Sequence, residues 1–314
     1  MREPTEAREQ SLQALLASLA ARRYRFTTIS PASHARVLAR CPDALAGDLR
    51  DVLGWSLPFR RGAIDPEIEA LLDRAGMLSC EGELFRSDVR VSSLGERLFI
   101  HSAYPTEAED AVFFGPDSYR FAAAIEAELA RRPLSDHAHI VDIGTGCGVG
   151  GIVAALAQPD ARVTLTDVNA AALSLARINA AAAGVEVETL RAEDLSAVED
   201  PIDLAIANPP YIIDAAGRAY RDGGDLMGGK IALDMTRMAT ARLAPGGRFL
   251  LYTGATIVDG CSPLIEALEG LASRHGLRFA WRETDPDVFG EELSNPAYAE
   301  ADRIAVIVAT FHRG

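Results

Sequence analysis

The chain of 314 residues has few cysteines and no long apolar run. Its four cysteines, Cys41, Cys80, Cys147 and Cys261, are widely spaced and include no Cys-x-x-Cys pair. This spacing argues against a disulfide framework and a zinc site, and it predicts reduced thiols in the cytoplasm. No run approaches the ~20 apolar residues that a membrane-spanning helix requires. The charged N-terminus also lacks the apolar segment of a signal peptide.

Basic residues are also scarce. The chain has 31 Lys and Arg against 45 Asp and Glu, which gives a net charge of −14. Residues 1–105 carry 14 Arg and 14 acidic residues, so the whole excess of acid lies in residues 106–314. Nucleic-acid enzymes usually gather basic residues around the active site. The charge therefore disfavours a DNA or RNA substrate, although a local basic patch is compatible with an acidic domain.

Residues 1–103 predict a small N-terminal α/β domain in which helices precede a β-hairpin. The patterns predict helices over residues 8–23, 30–40, 42–53 and 66–75 and strands over residues 84–91 and 97–101. This order is typical of a winged-helix-like domain, which binds nucleic acid in some proteins and docks a partner in others. Because this part of the chain is electrically neutral, we favour docking or a substrate lid.

The rest of the chain, residues 104–314, is organised around the stretch 139–151. It opens as a short buried strand around Asp142, and glycines follow at positions 144, 146, 148, 150 and 151. Glycines let the backbone approach a ligand closely, and the helix that follows offers unpaired N–H groups. The stretch also contains Gly-x-Gly-x-x-Gly, so a dinucleotide enzyme stays an alternative at this point.

Strands and helices then alternate regularly, which predicts a mostly parallel, doubly wound sheet. Asp167 ends the second strand, where a carboxylate can accept hydrogen bonds from both ribose hydroxyls of a nucleoside. Asp194 follows the third strand, where it is either a solvated acid in a loop or a side chain that reaches an adenine amino group. The last two strands, near residues 279–284 and 303–311, are expected to be an antiparallel pair that closes the sheet.

The fourth strand runs directly into Asn208-Pro209-Pro210-Tyr211. Two consecutive prolines cannot extend a strand, so they form a rigid corner at the carboxyl end of the sheet, where ligands of α/β proteins bind. The amide of Asn208 and the carbonyl of Pro209 can together hold both hydrogens of an –NH₂ group. Tyr211 offers an aromatic face for a planar amide or base.

These motifs resemble those of class I S-adenosylmethionine (SAM) methyltransferases with an Asn-Pro-Pro-Tyr signature. The family includes the release-factor glutamine methyltransferases (HemK or PrmC), the wider methyltransferase small-domain group, and enzymes that methylate exocyclic amines of DNA and ribosomal RNA. The resemblance covers residues 104–314 and implies a Rossmann-like domain, SAM as the cofactor and transfer of methyl to a planar nitrogen. It implies no metal and no membrane partner.

The resemblance also assigns roles to residues. The predicted catalytic residues are Asn208, Pro209, Pro210 and Tyr211. The predicted cofactor-binding residues are Phe114, Asp117, Asp142, Gly144, Thr145, Gly146, Gly148, Asp167, Val168, Asp194, Leu195 and Asn208.

Two segments depart from the release-factor enzymes. Where those have Arg-Pro-x-Thr-Glu, this chain has residues 114–119, Phe-Gly-Pro-Asp-Ser-Tyr, which is closer to other members with the same signature. The glycine-rich loop 220–230 matches their corresponding loop only in part. We favour a protein substrate, a glutamine side chain of a release factor among the candidates. A nucleic-acid base, a small molecule, and a SAM- or nucleotide-binding protein without catalysis are the alternatives.

Overall fold

The computed structural model describes residues 6–213 and 221–314. The α-helices are α1 (Glu6–Ala21), α2 (Pro31–Leu38), α3 (Leu49–Leu53), α4 (Pro66–Arg74), α5 (Pro116–Arg131), α6 (Val149–Ala157), α7 (Ala170–Ala183), α8 (Lys230–Arg242) and α9 (Pro263–Arg274). Among these described residues, none of the helices has the length and apolar character that crossing a membrane requires.

The strands belong to three sheets. They are β1 (Phe59–Arg60), β2 (Leu78–Glu81), β3 (Leu84–Ser87), β4 (Val89–Leu94), β5 (Arg97–Ser102), β6 (His139–Ile143), β7 (Arg162–Asp167), β8 (Glu188–Arg191), β9 (Ile202–Ala207), β10 (Leu243–Ile257), β11 (Arg278–Asp285) and β12 (Arg303–His312). Short 3₁₀ turns over Gly290–Ser294 and Pro296–Tyr298 lie between the last two strands.

The large sheet has seven strands in the order β8-β7-β6-β9-β10-β12-β11. The five strands from β8 to β10 are parallel, and β12 runs antiparallel to both of its neighbours. Along β9, Leu204 and Ile206 pack on the face covered by α5, α6 and α7, whereas Ala205 and Ala207 pack on the face covered by α8 and α9. The predicted doubly wound sheet with an antiparallel last strand is confirmed.

The N-terminal part has the predicted order of helices and a β-hairpin. The predicted hairpin is β4–β5, two antiparallel strands joined at Gly95 and Glu96. Helix α4 leads into a second hairpin, β2–β3, and β1 adds a third strand to it. The single strand expected over residues 84–91 is wrong, because the chain breaks at Asp88 into β3 and β4. The Ser87 hydroxyl accepts a hydrogen bond from the backbone N–H of Val89 at this break. Strand β2, which has mostly exposed side chains, was not predicted.

The helix expected over residues 42–53 is also wrong, since only Leu49–Leu53 is helical. Asp48 has an extended backbone, and its carboxylate accepts a hydrogen bond from the backbone N–H of Asp51 at 2.9 Å. An aspartate in this position begins a helix rather than continuing one. Its capping interaction therefore sets the start of α3.

The N-terminal part packs on α7 of the large domain. Glu9 in α1 accepts hydrogen bonds from Ser174 and Arg177 of α7, at 2.9 and 3.0 Å. Asn179 of α7 binds the backbone of Ile100 in β5. Leucines of α1 belong to the same hydrophobic cluster as residues of β6 and β7. The division into domains at residues 103 and 104 stays a prediction.

Candidate functional site

The glycine turn between β6 and α6 forms the floor of a cleft. Gly144, Gly146 and Gly148 have positive φ angles of 67°, 56° and 89°, which an L side chain rarely adopts. The backbone N–H of Thr145 donates a hydrogen bond to the carbonyl of Thr166 in β7. The turn is thereby held at the carboxyl ends of two neighbouring strands.

Asp142 is buried beneath this turn, with 1% of its surface exposed. Its Oδ2 accepts hydrogen bonds from the Thr145 hydroxyl at 2.6 Å and from the backbone N–H of Gly151 at 2.8 Å. Burial raises the pKa of the Asp142 carboxyl to about 6, while these two hydrogen bonds oppose the shift. A Cβ at Gly150 would lie 2.9 Å from the same oxygen, so helix α6 needs a glycine there to pack this closely.

Asp167 ends β7 and faces the same cleft. Its two carboxylate oxygens accept hydrogen bonds from the backbone N–H groups of Gly146 and Asn169, both at 2.9 Å. Burial raises the pKa of the Asp167 carboxyl. A carboxylate oxygen can accept more than one hydrogen bond, so Asp167 is also able to accept ligand hydroxyls.

The cleft encloses a cavity of about 630 Å³. Predicted site residues that line it are Asp142, Gly144, Thr145, Gly146, Asp167, Val168, Asp194, Leu195, Asn208, Pro209 and Pro210. The Val168 side chain is 51% exposed, which provides an apolar surface at the cavity wall. Asp194 is exposed, and its hydrogen bonds with Ser196 lower the pKa of its carboxyl. Four segments that are distant in sequence, at the ends of β6, β7, β8 and β9, are thus brought to one cavity.

A smaller cavity of about 220 Å³ lies next to the large one. Both are lined by Phe113, Asn208, Pro209 and Pro210. The small cavity is further lined by Pro31, Tyr104, Pro105, Thr106, Glu107, Asp117, Tyr211, Ile212, Arg221 and Phe289. The corner after β9 therefore lines both cavities. The glycine turn forms another part of the lining of the large cavity, and Pro31 of the N-terminal region forms part of the lining of the small one.

Tyr211 belongs to the small cavity. Its side chain is 7% exposed, and its ring contacts Phe289 with the ring centres 5.9 Å apart. A Cβ at Gly254 would lie 2.0 Å from the ring, so this position in β10 has no room for a side chain. The described part of the glycine-rich loop packs on the Tyr211 backbone, and a Cβ at Gly228 would lie 2.4 Å from the Tyr211 carbonyl oxygen. Tyr220, at the start of the predicted loop, lies outside the described residues.

Three predicted cofactor residues do not line the large cavity. Phe114 is 1% exposed and packs against the rings of Phe99, His101 and Tyr119 in the protein interior, so its side chain is unsuited to contact a cofactor. Gly148 packs against helix α7, where a Cβ would lie 3.2 Å from the Ala176 backbone.

The third of these residues, Asp117, lines the small cavity instead. Burial raises the pKa of its carboxyl, while a hydrogen bond from Tyr252 opposes the shift. Tyr252, Tyr104 and Arg120 were not predicted as site residues. Tyr252 lies within an apolar strand and the other two in unremarkable contexts, so no local pattern marks them.

Comparison with known proteins gives three results. Residues 123–257 match the family model of the methyltransferase small domain. The release factor glutamine methyltransferase of Deinococcus radiodurans is 38% identical over 122 residues, which are 36% of this chain and 44% of that protein. The one from Cereibacter sphaeroides is 34% identical over 196 residues, covering 57% of this chain and 66% of that protein.

Among solved structures, the crystal structure of Trm5b from Pyrococcus abyssi superposes with a TM-score of 0.50 at 16% identity. The superposed residues make up 78% of this chain and 68% of the Trm5b chain. The chain has the class I methyltransferase fold. The predicted similarity to release-factor methyltransferases is confirmed, and the chain spans less than two thirds of the length of the two relatives described above.

Proposed function

We propose that this class I methyltransferase transfers a methyl group from SAM to the amide nitrogen of a glutamine side chain in a protein. The observation that carries the proposal is the position of Asn208 and Pro209 between the two cavities. A methyl donor in the large cavity and an acceptor in the small one would meet at these residues. The names of the relatives support glutamine as the acceptor.

The residues of the large cavity fit SAM. The positive-φ glycines leave the backbone of the turn open to a ligand, and the Asp167 carboxylate suits the ribose hydroxyls. Asp142 would lie near the amino group of the methionine portion, and Asp194 near the adenine, beside the exposed side chain of Val168. When bound, SAM supplies an electrophilic methyl group.

The chain's own contribution is to orient the acceptor nitrogen. An amide nitrogen is a poor nucleophile because its lone pair is delocalised. The Asn208 side-chain oxygen and the Pro209 carbonyl would accept hydrogen bonds from its two hydrogens and direct the lone pair towards the large cavity. Positioning of this kind can supply several kcal/mol of the barrier. The nitrogen sheds its proton after transfer, so the step needs no strong base.

We also propose that the N-terminal region takes part in substrate recognition and, separately, that the protein acts in the cytoplasm. Pro31, from this region, lines the small cavity beside Tyr104, the first residue after the region, so the N-terminal region reaches the acceptor side of the site. The four cysteines form no disulfide, which is consistent with a reducing compartment.

A second candidate, methylation of a base in nucleic acid, is favoured by a groove in the N-terminal region. Arg22, Arg23, Arg25 and Arg50 line it together with the aromatic ring of Trp55. Arginines next to aromatic rings can bind the backbone and bases of nucleic acid. Acidic side chains pair with two of the four arginines, Arg22 and Arg25, and reduce the net positive charge. We therefore prefer the protein substrate.

The test is to incubate the protein with methyl-labelled SAM and a cell extract and to digest the product with protease or with nuclease. Label released by protease and found in N-methylglutamine supports the proposal, and release factors are then the first purified substrates to test. Label released by nuclease would establish the second candidate. Label in a small molecule, or none, contradicts both.

A further inference from the structure

The groove of the N-terminal region, here called the arginine groove, keeps positive charge that acidic side chains do not compensate. Its charged and aromatic lining residues are Arg22, Arg23, Arg25, Arg50, Asp48, Tyr24, Phe26 and Trp55. Arg22 and Arg25 pair with acidic side chains that are not part of this lining. The exposed Arg23 and Arg50 form no ion pair with any residue that the structure describes. The Asp48 carboxylate is occupied, because it caps helix α3.

A further arginine, Arg90 of β4, lies behind the groove. It is 4% exposed, and its guanidinium carbon lies 5.6 Å from the centre of the Phe26 ring. Its hydrogen bonds are to uncharged groups, the Gly54 carbonyl at 2.9 Å and the Thr28 hydroxyl at 3.3 Å. Burial lowers the pKa of Arg90 to about 10, so the side chain stays charged at neutral pH. Because a buried charge is screened less than an exposed one, Arg90 adds positive potential to the groove.

The arginine groove is adjacent to the acceptor side of the proposed active site. Ile29 lines the groove and Pro31 lines the small cavity, and two residues of chain span at most about 7 Å. The ring of Trp55 in the groove lies 5.1 Å from that of His34. The His34 ring lies 4.1 Å from that of Tyr104, which lines the small cavity. A substrate chain with its glutamine in the small cavity can therefore extend into the groove.

The groove and the catalytic cleft differ in the sign of their charge. The large cavity is lined by several carboxylates, among them Glu193, Asp194 and Asp234, and by no Lys or Arg of the described chain. Nucleic acid carries a negative charge on every phosphate, so it would be attracted to the groove and repelled at the cleft. A protein segment can instead place acidic side chains in the groove and a neutral glutamine at the cleft. Charge complementarity therefore favours a protein ligand.

We propose that the arginine groove binds an acidic segment of the substrate protein, near in sequence to the glutamine that enters the small cavity. Arg23 and Arg50 pair with carboxylates of this segment, and the aromatic side chains of the groove pack on its apolar parts. These contacts are remote from the acceptor nitrogen, so they raise substrate affinity and leave the transfer step unchanged. The inference rests on the proposed function, to which it adds the charge of the sequence that flanks the glutamine.

The experiment measures the binding of synthetic peptides to the protein saturated with S-adenosylhomocysteine. One peptide contains a glutamine followed by a run of glutamates, and the matched peptide has serine in place of each glutamate. A poly-uridine RNA is titrated in parallel. The emission of Trp55 reports binding in a Trp281→Phe background, because Trp281, on β11, is the other tryptophan of the chain.

The groove variant combines Arg23→Gln and Arg50→Gln, two exposed positions. The matched control combines Arg274→Gln and Arg282→Gln, since these arginines are also exposed and lie on α9 and β11 of the large domain. The groove variant and the control have the same net charge, so a difference between them reports a localised site.

We expect the acidic peptide to bind at least about tenfold more tightly than the neutral one, and the groove variant to bind it about tenfold more weakly than the wild type does. The control should bind like the wild type. Added salt should weaken binding of the acidic peptide only. The affinity for SAM should be the same in all three proteins.

The inference would be overturned by equal affinity for the two peptides, by no saturable change in the emission of Trp55, or by equal losses in the groove variant and the control. Tighter binding of poly-uridine, lost in the groove variant, would assign the groove to nucleic acid instead. Because the titration needs no turnover, a wild-type protein that binds the acidic peptide in the groove but methylates no protein contradicts the proposed function alone.

Discussion

The side-chain amide of Asn179 in α7 binds both backbone groups of Ile100 in β5. Its oxygen accepts a hydrogen bond from the Ile100 N–H at 2.8 Å, and its nitrogen donates to the Ile100 carbonyl at 3.0 Å. The same nitrogen donates to the Cys147 carbonyl at 2.8 Å. One fully buried residue therefore connects the N-terminal region, helix α7 and the glycine turn of the cleft.

Replacing Asn179 by Ala should destabilise the protein by about 3 kcal/mol, because three buried backbone groups lose their partner. Urea unfolding measures this difference. Gln10→Ala is the control, since Gln10 is an exposed helical amide with one hydrogen bond to Glu6. An Asn179→Ala variant as stable as the control would show that water replaces the lost hydrogen bonds.

Asn208 lies between the two cavities, so its loss should separate catalysis from cofactor binding. We expect Asn208→Ala to lower kcat by at least about 100-fold, because a group that orients the acceptor acts in the transition state. The dissociation constant of SAM, measured by calorimetry, should change little. A comparable loss of transfer and of SAM binding would contradict the role of Asn208.

Asp167 should show the opposite behaviour. Asp167→Asn replaces one of the two carboxylate oxygens by an –NH₂ group, which cannot accept a hydrogen bond. This group would face the backbone N–H of either Gly146 or Asn169, which then loses its acceptor. We expect SAM to bind at least about tenfold more weakly, since the turn and the proposed ribose contact are both disturbed. Asp160→Asn, on an exposed turn, is the control. Unchanged SAM affinity in Asp167→Asn would exclude a ribose contact.

The sequence predicts best those features that depend on the chain's local pattern. The strand, glycine turn and helix around residues 139–157 and the corner at 208–211 are marked by glycine and proline, whose backbone preferences act locally. Tyr252 has no such mark, because its role depends on Asp117 lying opposite it across α5 and β10. The burial of Phe114 has no such mark either, since sequence neighbours do not reveal which face of a loop is buried, and its role in cofactor binding stays a prediction.

Gly254 should be intolerant of any side chain because of Tyr211. A Cβ at this position would lie 2.0 Å from the Tyr211 ring, whereas one at Gly290 would meet nothing within 4 Å. We expect Gly254→Ala to displace the ring, to destabilise the protein by about 1–3 kcal/mol and to weaken substrate binding. Gly290→Ala is the matched control. Normal acceptor KM in Gly254→Ala would mean that the ring can shift without affecting the site.

His34 gives a prediction for the dependence of stability on pH. It is buried, its ring contacts that of Tyr104 with centres 4.1 Å apart, and its Nε2 is hydrogen-bonded to the Trp55 carbonyl. Burial and the positive charge of Arg90 lower the pKa of His34 from 6.5 to about 4. Between these two values the unfolded chain binds more protons than the folded one, so this residue makes stability rise with pH across that window.

The contribution of His34 should be about 2 kcal/mol between pH 4 and pH 6.5, after allowance for solvent screening. His34→Gln cannot take up the proton, so its unfolding free energy should depend less on pH in this window. At pH 7 the variant should be less stable than the wild type, and the difference should shrink towards pH 4. Parallel stability curves for the two proteins would show that His34 titrates alike in both states. The measurement is urea unfolding of the wild type and of His34→Gln at several pH values between 4 and 7.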